Sequence, residues 1–113
     1  MNPFLIRPAQ RAGFSETKGT KVDLFRGQAL FLGLNCFEPG QSQAVHAHHG
    51  ADKFYLIVSG KASMMVGDDR FEAEAGDLIW APADVPHGVI SAVEQTIMLI
   101  GIAPAPEGSA KMV

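Results

Sequence analysis

Cysteine, long apolar runs and an excess of charge of one sign are all scarce in this chain of 113 residues. The single cysteine, Cys36, excludes an internal disulfide and a cysteine-based zinc ribbon. No apolar run approaches the roughly 20 residues that a membrane-spanning helix needs. The net charge is −3 and the acidic and basic residues are mixed along the chain, so no basic stripe marks a nucleic-acid surface. We therefore expect neither a membrane nor a nucleic acid as partner.

The N-terminus also lacks the pattern of a secretory signal. Residues 1–9 contain only a short apolar patch, Phe4 to Ile6, with no basic start before it and no cleavage-like site after it. The sequence thus predicts a soluble, cytoplasmic protein. Apolar residues make up 47% of the chain, which is enough for a packed core, and the length suits one domain over residues 1–113.

Strand-sized apolar segments recur between turn residues, whereas no segment shows convincing helical periodicity. Twelve glycines and seven prolines separate these segments. The predicted strands are Val22–Phe25, Ala29–Phe37, Phe54–Val58, Ala62–Val66, Arg70–Glu74, Asp77–Trp80, Gly88–Ser91 and Thr96–Ile102. Many short strands separated by turns indicate an all-β sandwich or barrel. We expect the two ends, about 1–21 and about 104–113, to be less ordered.

Three of the four histidines lie within four residues, at His46, His48 and His49, and the fourth is His87. On a strand, alternate side chains share a face, so His46 and His48 are expected to point one way and His49 the other. Imidazole is the commonest metal ligand near neutral pH. In a small antiparallel barrel, His87 from another strand can converge on the same interior. Two imidazoles on one face beside a distant third form a plausible metal pocket, and His49 is the substitute if the register slips by one residue.

Two stretches of the chain carry a distinctive spacing. Residues 40–60 read Gly-x5-His-x-His-x4-Lys-x6-Gly, and residues 76–91 read Gly-x5-Pro-x-Asp-x2-His-x3-Ser. These spacings resemble the two motifs of the cupin superfamily. The family has a glutamate, an inner glycine and an asparagine where this chain has Lys53, Asp84 and Ser91. The glycine, proline and histidine positions otherwise fit, and both motifs occur in order.

The resemblance implies both a fold and a set of ligands. The expected fold is all-β, a single cupin barrel of the jelly-roll or double-stranded β-helix type. The resemblance carries His46, His48 and His87 over as ligands of a divalent transition metal, such as iron, zinc, manganese or nickel. Small one-domain cupins commonly pair through an edge strand or the N-terminal segment, so the resemblance also implies a homodimer. An exposed edge strand needs covering, which supports the same expectation.

Lys53 stands where the resemblance leads us to expect a glutamate ligand. An ammonium group repels a dication, so Lys53 cannot coordinate a metal while it is protonated. Three alternatives follow. The metal is held by three histidines and water, or Asp52 supplies the carboxylate from a bulged strand, or the metal site has decayed and Lys53 binds an anion directly. Tyr55 shares the Lys53 face, and we take both as candidate ligand-binding residues.

The possible functions fall into two classes. The first is a metal-dependent enzyme that acts on a small anionic molecule, for example a dioxygenase or an isomerase. The second is a non-catalytic module that binds or senses a small ligand, with or without metal. No general base stands out, because the glutamate that could serve is replaced by Lys53. The sequence carries no signature of a particular substrate.

Overall fold

The computed structural model describes residues 2–106, and this part of the chain is mostly β-strand. A single four-residue helix, α1 (Pro8–Arg11), precedes the strands. The strands are β1 (Thr20–Arg26), β2 (Phe31–Phe37), β3 (Gln43–His46), β4 (Asp52–Ser59), β5 (Lys61–Val66), β6 (Asp69–Glu74), β7 (Leu78–Ala81), β8 (His87–Ala92) and β9 (Thr96–Ala103). Within residues 2–106, no helix has the length and apolar character needed to cross a bilayer.

The strands form two antiparallel sheets that enclose one main core. The first sheet has the strand order β1-β2-β9-β4-β7, and the second has the order β3-β8-β5-β6. The chain crosses repeatedly from one sheet to the other, as in a jelly roll. The main apolar cluster draws buried side chains from both sheets, including Phe31, Met64 and Ile100. The all-β barrel that the sequence predicts is confirmed.

Strand β4 shows how alternation fills this core. Lys53, Tyr55 and Ile57 are buried, while Phe54 and Leu56 between them are only half-buried on the outer face. The strand begins at Asp52, two residues before the predicted start, so Lys53 belongs to the strand itself. Alternation then places the lysine and the tyrosine on the interior face, as expected from the sequence.

Strand β2 is buried on both faces because part of the N-terminal segment covers its outer side. Phe14 packs there against a second apolar cluster that includes Leu34. Part of the segment 1–21, which we expected to be less ordered, is therefore packed on the barrel. At the other end, Ala105 packs against the main core. The rest of the predicted tail, residues 107–113, lies outside the described residues.

Two glycines with nearly equal φ angles offer a test of this packing. Gly60 and Gly76 have φ angles of +92° and +93°, which side chains rarely adopt. A Cβ at Gly60 would lie 2.3 Å from the backbone oxygen of Gln95, whereas at Gly76 no atom lies within 4 Å. We expect Gly60→Ala to lower the free energy of unfolding by about 3 kcal/mol or more, and Gly76→Ala by about 1 kcal/mol. Urea unfolding followed by Trp80 fluorescence measures both losses, and equal losses would contradict the steric argument.

Candidate metal centre

Three histidines from two strands and one loop meet inside the barrel. His46 ends β3 and His87 begins β8, and the two residues are direct partners in this antiparallel pair. His48 lies beyond the end of β3, in the connection to β4. One potential ligand atom from each residue lies within 4.8 Å of the others. The structure thus brings together the three histidines that the sequence singled out.

Backbone carbonyl groups fix the rings of His46 and His87. Because a carbonyl oxygen can only accept, Nδ1 of each ring carries the proton. The Nδ1–H of His46 donates to the oxygen of Ala44 at 2.8 Å, and that of His87 donates to the oxygen of Val85 at 3.0 Å. Each ring therefore has an unprotonated Nε2, whose lone pair can bind a metal. The Nε2 atom of His87 is buried and has no hydrogen-bond partner among the described residues.

The spacing of two of these nitrogens suits a common metal ion. The Nε2 atoms of His46 and His48 lie 3.1 Å apart. Two nitrogens that bind one metal at about 2.0–2.1 Å are separated by roughly 2.9–3.4 Å, for angles from octahedral to tetrahedral. The pair therefore matches the bite of a divalent transition metal with little movement of either ring.

Burial keeps the imidazoles in the neutral form. It lowers the pKa of His48 and of His87 to about 4, and the positive charge of Lys53 acts in the same direction. The pKa of His46 is lowered as well, chiefly by burial. Neutral imidazole is the form that coordinates metals. The three side chains therefore fit a metal ion near neutral pH.

Asp84 ties the loop that carries His48 to the loop before β8. Its backbone N–H donates to the oxygen of His48 at 3.0 Å, and its carboxylate accepts from the N–H of Gly50 at 3.3 Å. The same carboxylate pairs with the exposed His49 at 2.9 Å. Asp84 has a φ of +67°, which explains why a glycine suits this motif position. Our sequence reasoning missed this role, although an aspartate in place of the motif's glycine was the available signal.

The alternation of side chains along a strand explains only part of the histidine arrangement. It does not apply to His48, because β3 ends at His46. His48 instead reaches the interior from the loop, where it is buried. His49 lies outside the cluster with a fully exposed side chain, so its exclusion agrees with the sequence interpretation.

Lys53 and His87 both lie close to the ring of Tyr55. The Nζ atom of Lys53 stands 4.3 Å from the centroid of the Tyr55 ring, whose centroid in turn lies 6.1 Å from that of His87. Lys53 is buried, and its Nζ has no hydrogen-bond partner within residues 2–106. Burial, together with the charge of Lys21, lowers the pKa of Lys53 to about 7. The interior thus carries an amine, which is mostly protonated only below about pH 7, where the related motif has a carboxylate.

Asp52 does not bring a carboxylate to the cluster. Its side chain is exposed and accepts a hydrogen bond from the N–H of Ala83 at 2.9 Å. Strand β4 has no bulge between Asp52 and Tyr55 that would reverse its facing, since its register shift comes later, after Ile57. Among the described residues, the potential metal-ligand group contains histidines alone. The alternative in which Asp52 completes the site is therefore wrong.

A cavity of about 370 Å³ adjoins His46. Its wall comes from the N-terminal segment, β1, β2 and β3, and includes Lys18, Lys21, Asn35 and Gln43. No aspartate or glutamate of residues 2–106 lines it. The Tyr55 hydroxyl donates to Oε1 of Gln43 at 3.0 Å. The cavity gives a small molecule a place beside the histidine cluster.

Known proteins share this architecture. Residues 33–102 match the family model described as a cupin domain. The TT1209 protein of Thermus thermophilus is 30% identical with a TM-score of 0.85, over 90% of this chain and 98% of that chain. An uncharacterised Klebsiella pneumoniae protein with a double-stranded β-helix domain is 20% identical with a TM-score of 0.84, over 93% of each chain.

A curated sequence relative matches over a shorter stretch of the chain. An uncharacterised protein of Methanocaldococcus jannaschii is 25% identical over 67 residues, which is 59% of this chain and 54% of that protein. The match therefore spans about half the length of this relative. The family match covers both spaced motifs and the three clustered histidines. With the barrel topology, it establishes that this chain belongs to the cupin family.

Proposed function

We propose that this cupin binds a divalent transition metal through Nε2 of His46, His48 and His87, and that the site takes a small anionic molecule. The observation that carries the proposal is the convergence of three neutral imidazoles, two of them oriented by backbone carbonyl groups. Iron, zinc, manganese and nickel all accept imidazole donors. When bound, such a metal supplies Lewis acidity and, in the case of iron, redox chemistry. Three protein ligands leave coordination positions open for a substrate.

The charges around the site favour an anionic ligand. Among the described residues, no carboxylate joins the histidines to balance a dication. In this proposal, Lys53 adds positive potential from the interior, where its charge acts on all three histidines. Tyr55 holds Gln43 in the cavity wall through the hydrogen bond from its hydroxyl. Neither Lys53 nor Tyr55 lines the cavity. In this proposal, Lys53 acts on the ligand through its charge and Tyr55 acts through Gln43.

Two activities fit a cupin with this site. The first is metal-dependent chemistry on the bound anion, of the dioxygenase or isomerase type. Three protein ligands would leave positions on the metal open for a substrate, which supports this activity. The second is non-catalytic binding or sensing of the ligand. One observation favours the second: the described cavity wall holds no carboxylate that could serve as a general base.

We also propose that the protein forms a homodimer through strand β7. This strand is an edge of the five-stranded sheet. Its side chains Leu78 and Trp80 are 68% and 58% exposed, respectively. An apolar edge strand is stabilised when a second copy covers it, because its backbone groups then form hydrogen bonds with that copy and its apolar side chains leave water. The expected partner is therefore another copy of this chain.

The metal proposal predicts different effects for two neighbouring histidines. His48→Ala is expected to lower zinc affinity by about tenfold or more, because it removes one of three donors. His49→Ala should leave the affinity unchanged, because His49 is exposed and outside the cluster. Isothermal titration with zinc, together with elemental analysis of protein purified without chelator, measures both effects. Wild-type protein that neither retains nor regains iron, zinc, manganese or nickel would contradict the proposal.

Replacing Lys53 with methionine is expected to stabilise the metal-free protein near neutral pH. The folded-state pKa of Lys53 is about 7, below its ordinary value of 10.5, so protonated Lys53 favours unfolding. This cost is fully present below pH 7 and fades as the pH rises toward 10.5. The melting temperature of Lys53→Met should therefore exceed that of the wild type by about 5 °C near pH 7, and by far less near pH 10. An equal gain at both pH values would show that the lysine charge is not buried.

The dimer proposal predicts that a charge on β7 separates the two copies. Trp80→Lys is expected to give a monomer, because it places a cation in the apolar contact. Val93→Lys is the matched control, since Val93 is 50% exposed and lies outside β7. Sedimentation velocity measures the mass of both variants. A monomeric wild type, or a Trp80→Lys variant that remains dimeric, would refute this interface.

A further inference from the structure

We infer that the cavity beside His46 binds a short-chain hydroxycarboxylic acid, whose carboxylate and hydroxyl are recognised by Lys18, Lys21 and Asn35. The inference deepens the proposed function and rests on it for the end of the ligand that faces the histidines. The assignment of Lys18, Lys21 and Asn35 as the recognition set stands on observations of its own.

Asn35 presents an unused amide inside the barrel. It is 1% exposed, and neither Nδ2 nor Oδ1 has a hydrogen-bond partner among the described residues. Its neighbours Leu34 and Cys36 belong to the outer apolar cluster, so alternation turns Asn35 toward the interior, where it lines the cavity. A buried amide without partners is costly, and an apolar residue of similar shape avoids that cost. The amide therefore suits a ligand that offers both an acceptor and a donor.

Lys21 lies next to Asn35 across the first strand pair. The two residues are direct partners in the β1–β2 register, and both line the cavity. Side chains at such paired positions are close enough to contact one bound group. The amide N–H of Asn35 and the ammonium of Lys21 can then donate to the same carboxylate. The amide oxygen of Asn35 remains to accept from a hydroxyl on the adjoining carbon.

The positive charge in the cavity wall favours an anionic ligand. Lys18 joins Lys21 in the wall, and no acidic residue within residues 2–106 lines it. Lys21 lines the same cavity as His46, so its charge lies on the wall that leads to the histidine cluster. Charged donors at a cavity mouth attract a carboxylate and fix its orientation.

The size of the cavity sets the length of the ligand. Its volume of about 370 Å³ is at the small end of the range for small-molecule sites. His46 lines the same cavity, so a short acid held by Lys21 and Asn35 can extend toward the histidine cluster. A second oxygen-bearing group at that end is then within reach of the proposed metal site.

Isothermal titration of the zinc-loaded protein tests the ligand class. The probes are malate, succinate, malamide and inorganic phosphate. Malate should bind most tightly. Succinate should bind about fivefold more weakly, because it lacks the hydroxyl that donates a hydrogen bond to the amide oxygen of Asn35. Malamide, which carries no charge, and phosphate, which has the wrong shape, should bind at least about tenfold more weakly than malate. Malamide or phosphate binding as tightly as malate would overturn the inference.

Variants then test the recognition set. Lys21→Met and Lys18→Met should each weaken malate binding by about fivefold, and the double variant by about twentyfold or more. Lys61→Met is the matched control, because it removes a lysine of β5 that does not line the cavity. Asn35→Leu should weaken malate binding and at the same time raise the melting temperature of the ligand-free protein. Lysine variants that behave like Lys61→Met would overturn the assignment.

Metal content measured on the same samples separates this inference from the proposed function. Protein that holds zinc but does not bind malate contradicts the carboxylate site and leaves the metal proposal intact. Malate binding to protein that retains no metal, and that Lys21→Met weakens, supports the carboxylate site and contradicts the metal proposal.

Discussion

The antiparallel pairing of β3 with β8 is the constraint on which the site depends. Direct pairing of His46 with His87 brings two imidazoles together from residues 41 positions apart in the sequence. The third ring arrives from a loop, and Asp84 holds that loop against the start of β8 through three contacts with residues 48–50. The strand pair and the loop held by Asp84 thus bring three imidazoles together, which a single strand cannot do.

Lys53 changes the electrostatics of this arrangement. In the related motif a carboxylate neutralises part of the metal charge, whereas here the same interior position carries an amine. The ring of Tyr55 lies against the ammonium and gives it a weak cation–π partner, worth about 1–2 kcal/mol when desolvated. This does not replace hydration, so the pKa of Lys53 falls to about 7. In the proposed function, this substitution favours an anionic ligand.

Much of the barrel was predictable because its signals are local. Turn residues and alternation located the predicted strand Ala62–Val66 within one residue of β5, and motif spacing located the three histidines. The short strand β3 was not delimited, because four residues carry too little periodicity, and so the end of the strand at His46 was missed. The position of Asn35 in the cavity wall was not predicted either, because the residue lies in an apolar run. Only the strand register of the folded chain shows that its amide faces the cavity.

The buried polar atoms that lack partners follow a pattern that the proposed function explains. Within residues 2–106, the unpartnered side-chain atoms are Nδ2 and Oδ1 of Asn35, Nζ of Lys53 and Nε2 of His87. Each such group costs about 1–3 kcal/mol, and replacement by an apolar residue of similar shape avoids that cost. A barrel selected for stability alone would therefore not keep three such residues in its interior. His87 belongs to the histidine cluster, Lys53 lies beside Tyr55 and Asn35 lines the cavity. In the proposed function, these residues lower stability and contribute to ligand binding.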